Sequence, residues 1–322
     1  MRRRITPVLA GISLGLVVVL AAGCSSAAGG GAQVEKPDLT VAAVPVGDEA
    51  GLYVAQDRGL FTAEGLNVRI VSAVSSADII TGQNDRRYDI SAGNAVSYIQ
   101  AQVSGQANLE IIAVGSLMQP GNQALYTLPG SPITSLADLA GKRIGVNAPE
   151  NIGTLLISSV LADYGIARHE VRFVVMPFPD MGPALQHHQI DVAWLPDPFG
   201  SIFAEQYGLA QLTDLDQGAT TNFPVSWYVV TKAWAKKYPH TLAAFLDALK
   251  RGQEIADTER TAVEQAMETL PPPYTVPPAI AGVMSLDSYP VGISLPSVQR
   301  VADTMYQFQM LNQPFRVSSM LG

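Results

Sequence analysis

Ala124-Leu125-Tyr126-Thr127-Leu128-Pro129-Gly130-Ser131-Pro132 divides the chain. Its first five residues have the apolar and aromatic side chains of a β-strand, and Pro129-Gly130-Ser131-Pro132 is turn chemistry that ends it. A fresh series of strands and helices then opens with Arg143-Ile144-Gly145-Val146 and ends near Leu212. A further strand, Ser226 to Thr231, leads into a tail with helical periodicity. Two strand-like crossings bracket a middle block, which predicts a discontinuous first lobe (37–127 and 224–322) and an inserted second lobe (128–223).

Outward from that turn, short Val/Ile/Ala-rich runs alternate with helical stretches. The predicted strands are Leu39 to Val44, Asn67 to Val71, Asp89 to Ser91, Leu109 to Val114, Arg143 to Val146, Val171 to Val175 and Asp191 to Leu195. Helices such as Leu52 to Asp57 and Thr154 to Tyr164 are closed by Gly59 and Gly165. The class is α/β, with mostly parallel sheets covered by helices. The tail from Lys232 to Leu311 is expected to be helical, broken at Pro271-Pro272-Pro273 and packed back on the first lobe.

The chain begins with Arg2, Arg3 and Arg4 ahead of an apolar run from Val8 to Ala22, short for a membrane span. Leu20-Ala21-Ala22-Gly23-Cys24-Ser25-Ser26 follows, and Cys24 is the only cysteine among 322 residues. The segment resembles a bacterial lipobox, which implies a signal peptide over 1–23, acylation of Cys24, a flexible tether over 24–36 and an extracytoplasmic, membrane-anchored protein. Loss of three arginines with the signal moves the formal charge from −8 to −11. No basic cluster marks a nucleic-acid surface.

Several segments together resemble a family. Gly51-Leu52-Tyr53-Val54-Ala55, Gly59-Leu60-Phe61 and Glu64-Gly65-Leu66-Asn67-Val68 look like its opening; Tyr88-Asp89-Ile90-Ser91-Ala92-Gly93-Asn94 looks like its next strand and cleft loop. Ile133 to Val146, then Ala184-Leu185, Gln189-Ile190-Asp191-Val192-Ala193 and Asp197-Pro198, resemble the opening and return of the second lobe. The chain is thereby similar to the solute-binding proteins of ABC importers in the nitrate, sulfonate, taurine and thiamine-precursor (THI5-like) group. The resemblance implies a periplasmic-binding-protein type II fold whose lobes close over a small-molecule solute, an ABC permease as partner, a monomer, and no cofactor.

In open α/β sheets, ligands bind beyond the carboxyl ends of the strands, beside helix N-termini. That rule selects Gly47 and Glu49, Asn94, the helix opening Asn151-Ile152-Gly153-Thr154, Asp180, Asp197, and Trp227 on the returning strand. The Asn151–Thr154 amides could receive a polar ligand atom or form an ordinary helix cap. The loops carry Asp48, Glu49, Glu150, Asp180 and Asp197 but no Lys or Arg, so they suit a neutral or cationic nitrogen heterocycle better than a small anion. Trp227 is expected to stack on the solute, and Trp194 to lie in the core. His187, His188 and Asp191 supply too few ligands for a metal site, and none is assigned. An enzyme that makes the thiamine pyrimidine, the rival within the same resemblance, would need a cysteine-rich motif, and Cys24 stands alone. A tethered sensor that binds a solute without a permease is the second rival.

Overall fold

Two sheets of five strands, each covered by helices, make up the computed structural model, which describes residues 34–322. The expected signal peptide over 1–23, Cys24 and the expected tether up to residue 33 lie outside the described residues. The first sheet holds β1 (Asp38–Ala43), β2 (Asn67–Ser72), β3 (Ile90–Asn94), β4 (Leu109–Leu117) and β10 (Pro224–Thr231), ordered β2-β1-β3-β10-β4. The second holds β5 (Gln123–Thr127), β6 (Arg143–Val146), β7 (Arg172–Val175), β8 (Val192–Pro196) and β9 (Ala210–Asp214), ordered β7-β6-β8-β5-β9. The class is α/β, as the alternation of runs predicts.

Both sheets are mixed rather than mostly parallel. In the first, β1 lies parallel to β2 and β3, while β10 runs antiparallel to β3 and β4. The second repeats the plan with β6 beside β7 and β8, and β5 antiparallel to β8 and β9. The cause is connectivity. β1, β3, β6 and β8 run toward the gap between the sheets, whereas β5 and β10 are the strands by which the chain enters each sheet from that gap. The Gln123–Thr127 run, expected with the first lobe, is therefore paired within the second sheet, and the passage between sheets precedes it, after Leu117. β9 escaped the sequence reading because Ala210–Asp214 is a half-exposed edge strand without apolar alternation.

The tail is helical and packs back on the first sheet. Helix Pro239–Thr258 lies against helix Ala50–Asp57. They approach closely because Gly51 and Gly252 face each other: a Cβ on Gly252 would sit 2.3 Å from the Gly51 carbonyl oxygen. At the same contact, Gln253 Nε2 donates to the Val114 carbonyl at 2.6 Å and ties the helix to β4. After helix Arg260–Glu268 the prolines stop the helix, and the chain returns to β4 through a bridge between Leu117 and Ser288. That return places Ser285, Asp287 and Tyr289 behind the gap. Among the described residues, no helix is long and apolar enough to cross a membrane.

Candidate solute-binding site

The carboxyl ends of β1 and β3 face those of β6 and β8 across a small cavity of about 20 Å³. From the first-sheet side it is walled by Val44, Val46, Asp48, Glu49, Ser76, Gly93 and Asn94; from the second, by Asn147, Ile152, Phe178, Trp194 and Pro196. A volume of that size has room for about one or two waters, so a larger solute needs the walls to part.

Direct contacts hold the walls together. Gly47 N–H donates to the Asp197 carbonyl at 3.0 Å, and Asn147 Nδ2 donates to the Val74 carbonyl at 3.1 Å. Gln123 forms a relay: its Nε2 donates to both Asp48 carboxylate oxygens (3.2 and 3.3 Å), while its Oε1 accepts from Trp194 Nε1 at 3.0 Å. The bonds from Gly47, Asn147 and Gln123 Nε2 join the first-sheet side to the second, while the bond from Trp194 to Gln123 lies within the second sheet. Parting them would expose groups that water can satisfy, so closure costs little in lost hydrogen bonds.

The wall is acidic. Glu49 is only 1% exposed; one carboxylate oxygen accepts from the Ser226 hydroxyl, and the other is buried without a partner. Burial, reinforced by the neighbouring Asp48 charge, pushes the Glu49 carboxyl up to about 8. Asp48 is also raised by burial, and behind it Asp287, 6% exposed, is driven well up by burial and by Asp48 itself, with neither of its oxygens hydrogen-bonded. No Lys or Arg lines the cavity. Against this acid side stands an aromatic one: Phe178 packs edge-on to Trp194 at 5.3 Å and stacks on Phe199, also at 5.3 Å. Acceptors on one wall and ring faces on the other suit a flat solute with N–H donors or a positive charge.

A family model described as NMT1/THI5 like matches residues 47–259, a span that runs from the acidic loop through both sheets into the tail. The chain belongs to the NMT1/THI5-like family. It is 27% identical over 248 residues to the nitrate import ATP-binding protein NrtC of Synechocystis sp. PCC 6803, covering 72% of this chain and 37% of that protein. It is 23% identical over 216 residues to the 4-amino-5-hydroxymethyl-2-methylpyrimidine phosphate synthase of Uromyces fabae, covering 63% and 61%. The chain thus spans less than two thirds of the length of these curated relatives. In fold it is similar to the alkanesulfonate-binding protein SsuA of Xanthomonas axonopodis pv. citri, solved with MOPS bound, with a TM-score of 0.77 at 17% identity over 90% of this chain and 99% of that one.

In this NMT1/THI5-like chain the sequence-predicted residues separate into three groups. Glu49 and Asn94 line the cavity. Asn94 also caps helix Ala95–Val103, its Oδ1 accepting from Ser97 N–H and its Nδ2 donating to Ser76 Oγ, both at 2.9 Å. A second group supports the walls from behind. Asn151 and Thr154 form the cap of helix Ile152–Asp163, with Thr154 N–H donating to Asn151 Oδ1 at 3.1 Å. Gly153 lies flat against Trp194, where a Cβ would come within 2.2 Å of the indole. Gly47 is held through both its backbone N–H and its carbonyl, which accepts from Tyr289 Oη at 3.0 Å. The Asp197 carboxylate is occupied by Ser201 and by Ser285 N–H at 2.6 Å.

The third group is misplaced by the sequence reading. Asp180 sits exposed in the first turn of helix Phe178–Gln186, outside the cavity, while its neighbour Phe178 turns inward. Trp194 lies in the core as expected, 2% exposed, and its ring also lines the cavity, whereas Trp227, expected to stack on the solute, is 0% exposed in the same hydrophobic cluster and does not line it. β10 is buried on both faces, so Trp227 and Tyr228 enter different cores and neither faces the cavity. Trp227→Ala is accordingly expected to cost about 3–5 kcal/mol in urea unfolding, the signature of an emptied core site. Asp191, weighed beside His187 and His188, is held by Arg143 in a two-pronged pair at 2.7 and 3.1 Å. Ser76 and Asn147 also line the cavity, and Asp287, from the distant tail, is buried beside Asp48.

Proposed function

We propose that the protein is the extracytoplasmic solute receptor of an ABC importer, anchored through an acylated Cys24, and that it captures a small nitrogen heterocycle or comparable N–H-donating solute. The observation that carries this reading is Glu49, a buried carboxyl with an unpartnered oxygen on a cavity wall that has no cation and faces Trp194 and Phe178. A sulfonate or nitrate placed there would meet two acids and no counter-charge, which buried charge does not tolerate.

The two sheets with their helices act as two lobes, parting after Leu117 and before Pro224. Solute contacts drawn from both walls are complete only when the lobes are together, so binding favours the closed arrangement. Membership of a family that includes nitrate-import and pyrimidine-synthase relatives is compatible with a receptor or an enzyme; the orphaned acid and the aromatic face favour binding of a pyrimidine-like ring in either case. A thermal-shift screen distinguishes the ligand classes. Aminopyrimidines and other basic heterocycles are expected to stabilise the protein, by about 2.7 kcal/mol at a hundredfold excess over Kd. Stabilisation by sulfonates, nitrate or bicarbonate alone would overturn the assignment.

A further inference from the structure

Where the chain enters its folded body, it meets a second feature of opposite charge. Lys36, Arg86 and Lys237 line a groove of about 310 Å³ together with Tyr88, Trp234 and Tyr238. Trp234 and Tyr238 pack at 5.4 Å, Lys237 lies 4.9 Å over the Tyr238 ring, and Arg87 lies 5.4 Å over Tyr88. Lys36 pairs with Asp89, which also accepts from Trp234 Nε1 at 3.0 Å, and Arg87 pairs with Asp85. Arg86, Lys236 and Lys237 are exposed and make no ion pair among the described residues. A basic patch rimmed with half-buried aromatics is unexpected in a chain of net charge −8.

We propose that this groove is the face that rests on anionic lipid headgroups, a proposal that builds on the reading of Cys24 as the lipid anchor. Lys36 lies two residues past Val34, where the described chain begins. The ten residue-to-residue steps from Cys24 to Val34 can span at most about 36 Å, so the body is confined near the bilayer with its entry point closest to it. Cations attract anionic headgroups within a Debye length, and Trp and Tyr favour the polar edge of the bilayer. Few cations suffice when the tether already supplies a high local concentration. Held in this way, the protein presents a fixed orientation to the membrane.

The test supplies the anchor chemically. Residues 24–322, free of lipid, are coupled through Cys24, the only cysteine, to maleimide lipid in vesicles of phosphatidylcholine alone or mixed equally with phosphatidylglycerol. Acetylation of individual lysines is then followed by mass spectrometry. Lys236 and Lys237 are expected to react about fivefold more slowly on the anionic vesicles, with Lys142 of the second sheet unchanged, and about 0.5 M salt should remove the difference. Arg86→Glu with Arg87→Glu should also remove it. Equal rates on both surfaces, uniform protection that includes Lys142, or protection indifferent to the charge reversal would overturn the proposal. Failure of the anchor reading shows separately, as an unacylated Cys24 in protein extracted from cells.

Discussion

Glu49→Gln is expected to weaken solute binding while making the empty protein more stable. The two effects share one cause. In the empty protein Glu49 is a buried carboxyl held up to about 8, so an acid that titrates normally when unfolded is handicapped by folding. The amide keeps the shape and can still bond to Ser226, but it has no charge to desolvate. In the complex the same oxygen is the acceptor, and removing one partner of a buried charge-assisted pair costs about 2–5 kcal/mol, a loss of roughly thirtyfold to several thousandfold in affinity. Calorimetric titration and urea unfolding of both proteins measure the two halves. Weaker binding with lower stability would mark Glu49 as merely structural; unchanged binding would remove it from the site.

Stability of the unliganded protein is expected to fall as pH rises from about 5 to 8. Glu49, Asp48 and Asp287 are all raised by burial, so the folded state keeps protons that the unfolded chain has released. Their stabilising contribution is complete below the unfolded values near 4 and is lost as pH climbs toward the folded ones, Glu49 finishing near 8. For Glu49 alone the linkage amounts to a few kcal/mol, on the order of 4. Asp191, lowered by its pairing with Arg143, acts in the opposite sense below about pH 4, so the optimum should fall on the acid side of neutrality. Melting temperatures across this range measure the slope, and Asp287→Asn should flatten it. A rise in stability toward pH 8 would mean that the three acids are not the dominant titrating groups. Saturation with a basic solute should flatten the slope too, because the solute supplies the missing charge.

Most of the fold could be read from the sequence because its strands are short, apolar and separated by glycine-closed helices, a pattern set by local chemistry. What escaped depends on long-range pairing. The direction of β5 and β10 follows from which sheet each strand joins, and the edge strand β9 lacks the burial that writes alternation into sequence. In the site, Asp48 and Glu49 were recognisable because they stand in the loop that follows the end of β1. Asp287 was not, since Ser285-Leu286-Asp287-Ser288 has no local mark of burial and only tertiary packing brings it behind Asp48. That Trp194 and not Trp227 reaches the cavity has the same origin: when both faces of a strand are covered, alternation no longer tells which face meets the cavity.

The most direct test is a crystal structure with the heterocycle that stabilises the protein most. The ligand should lie between the ends of β1 and β8, with its ring against Trp194 or Phe178 and an N–H within about 2.7–3.1 Å of a Glu49 oxygen. A ligand bound elsewhere, or an anionic group seated on the amides of helix Ile152–Asp163 with Glu49 turned away, would contradict the account.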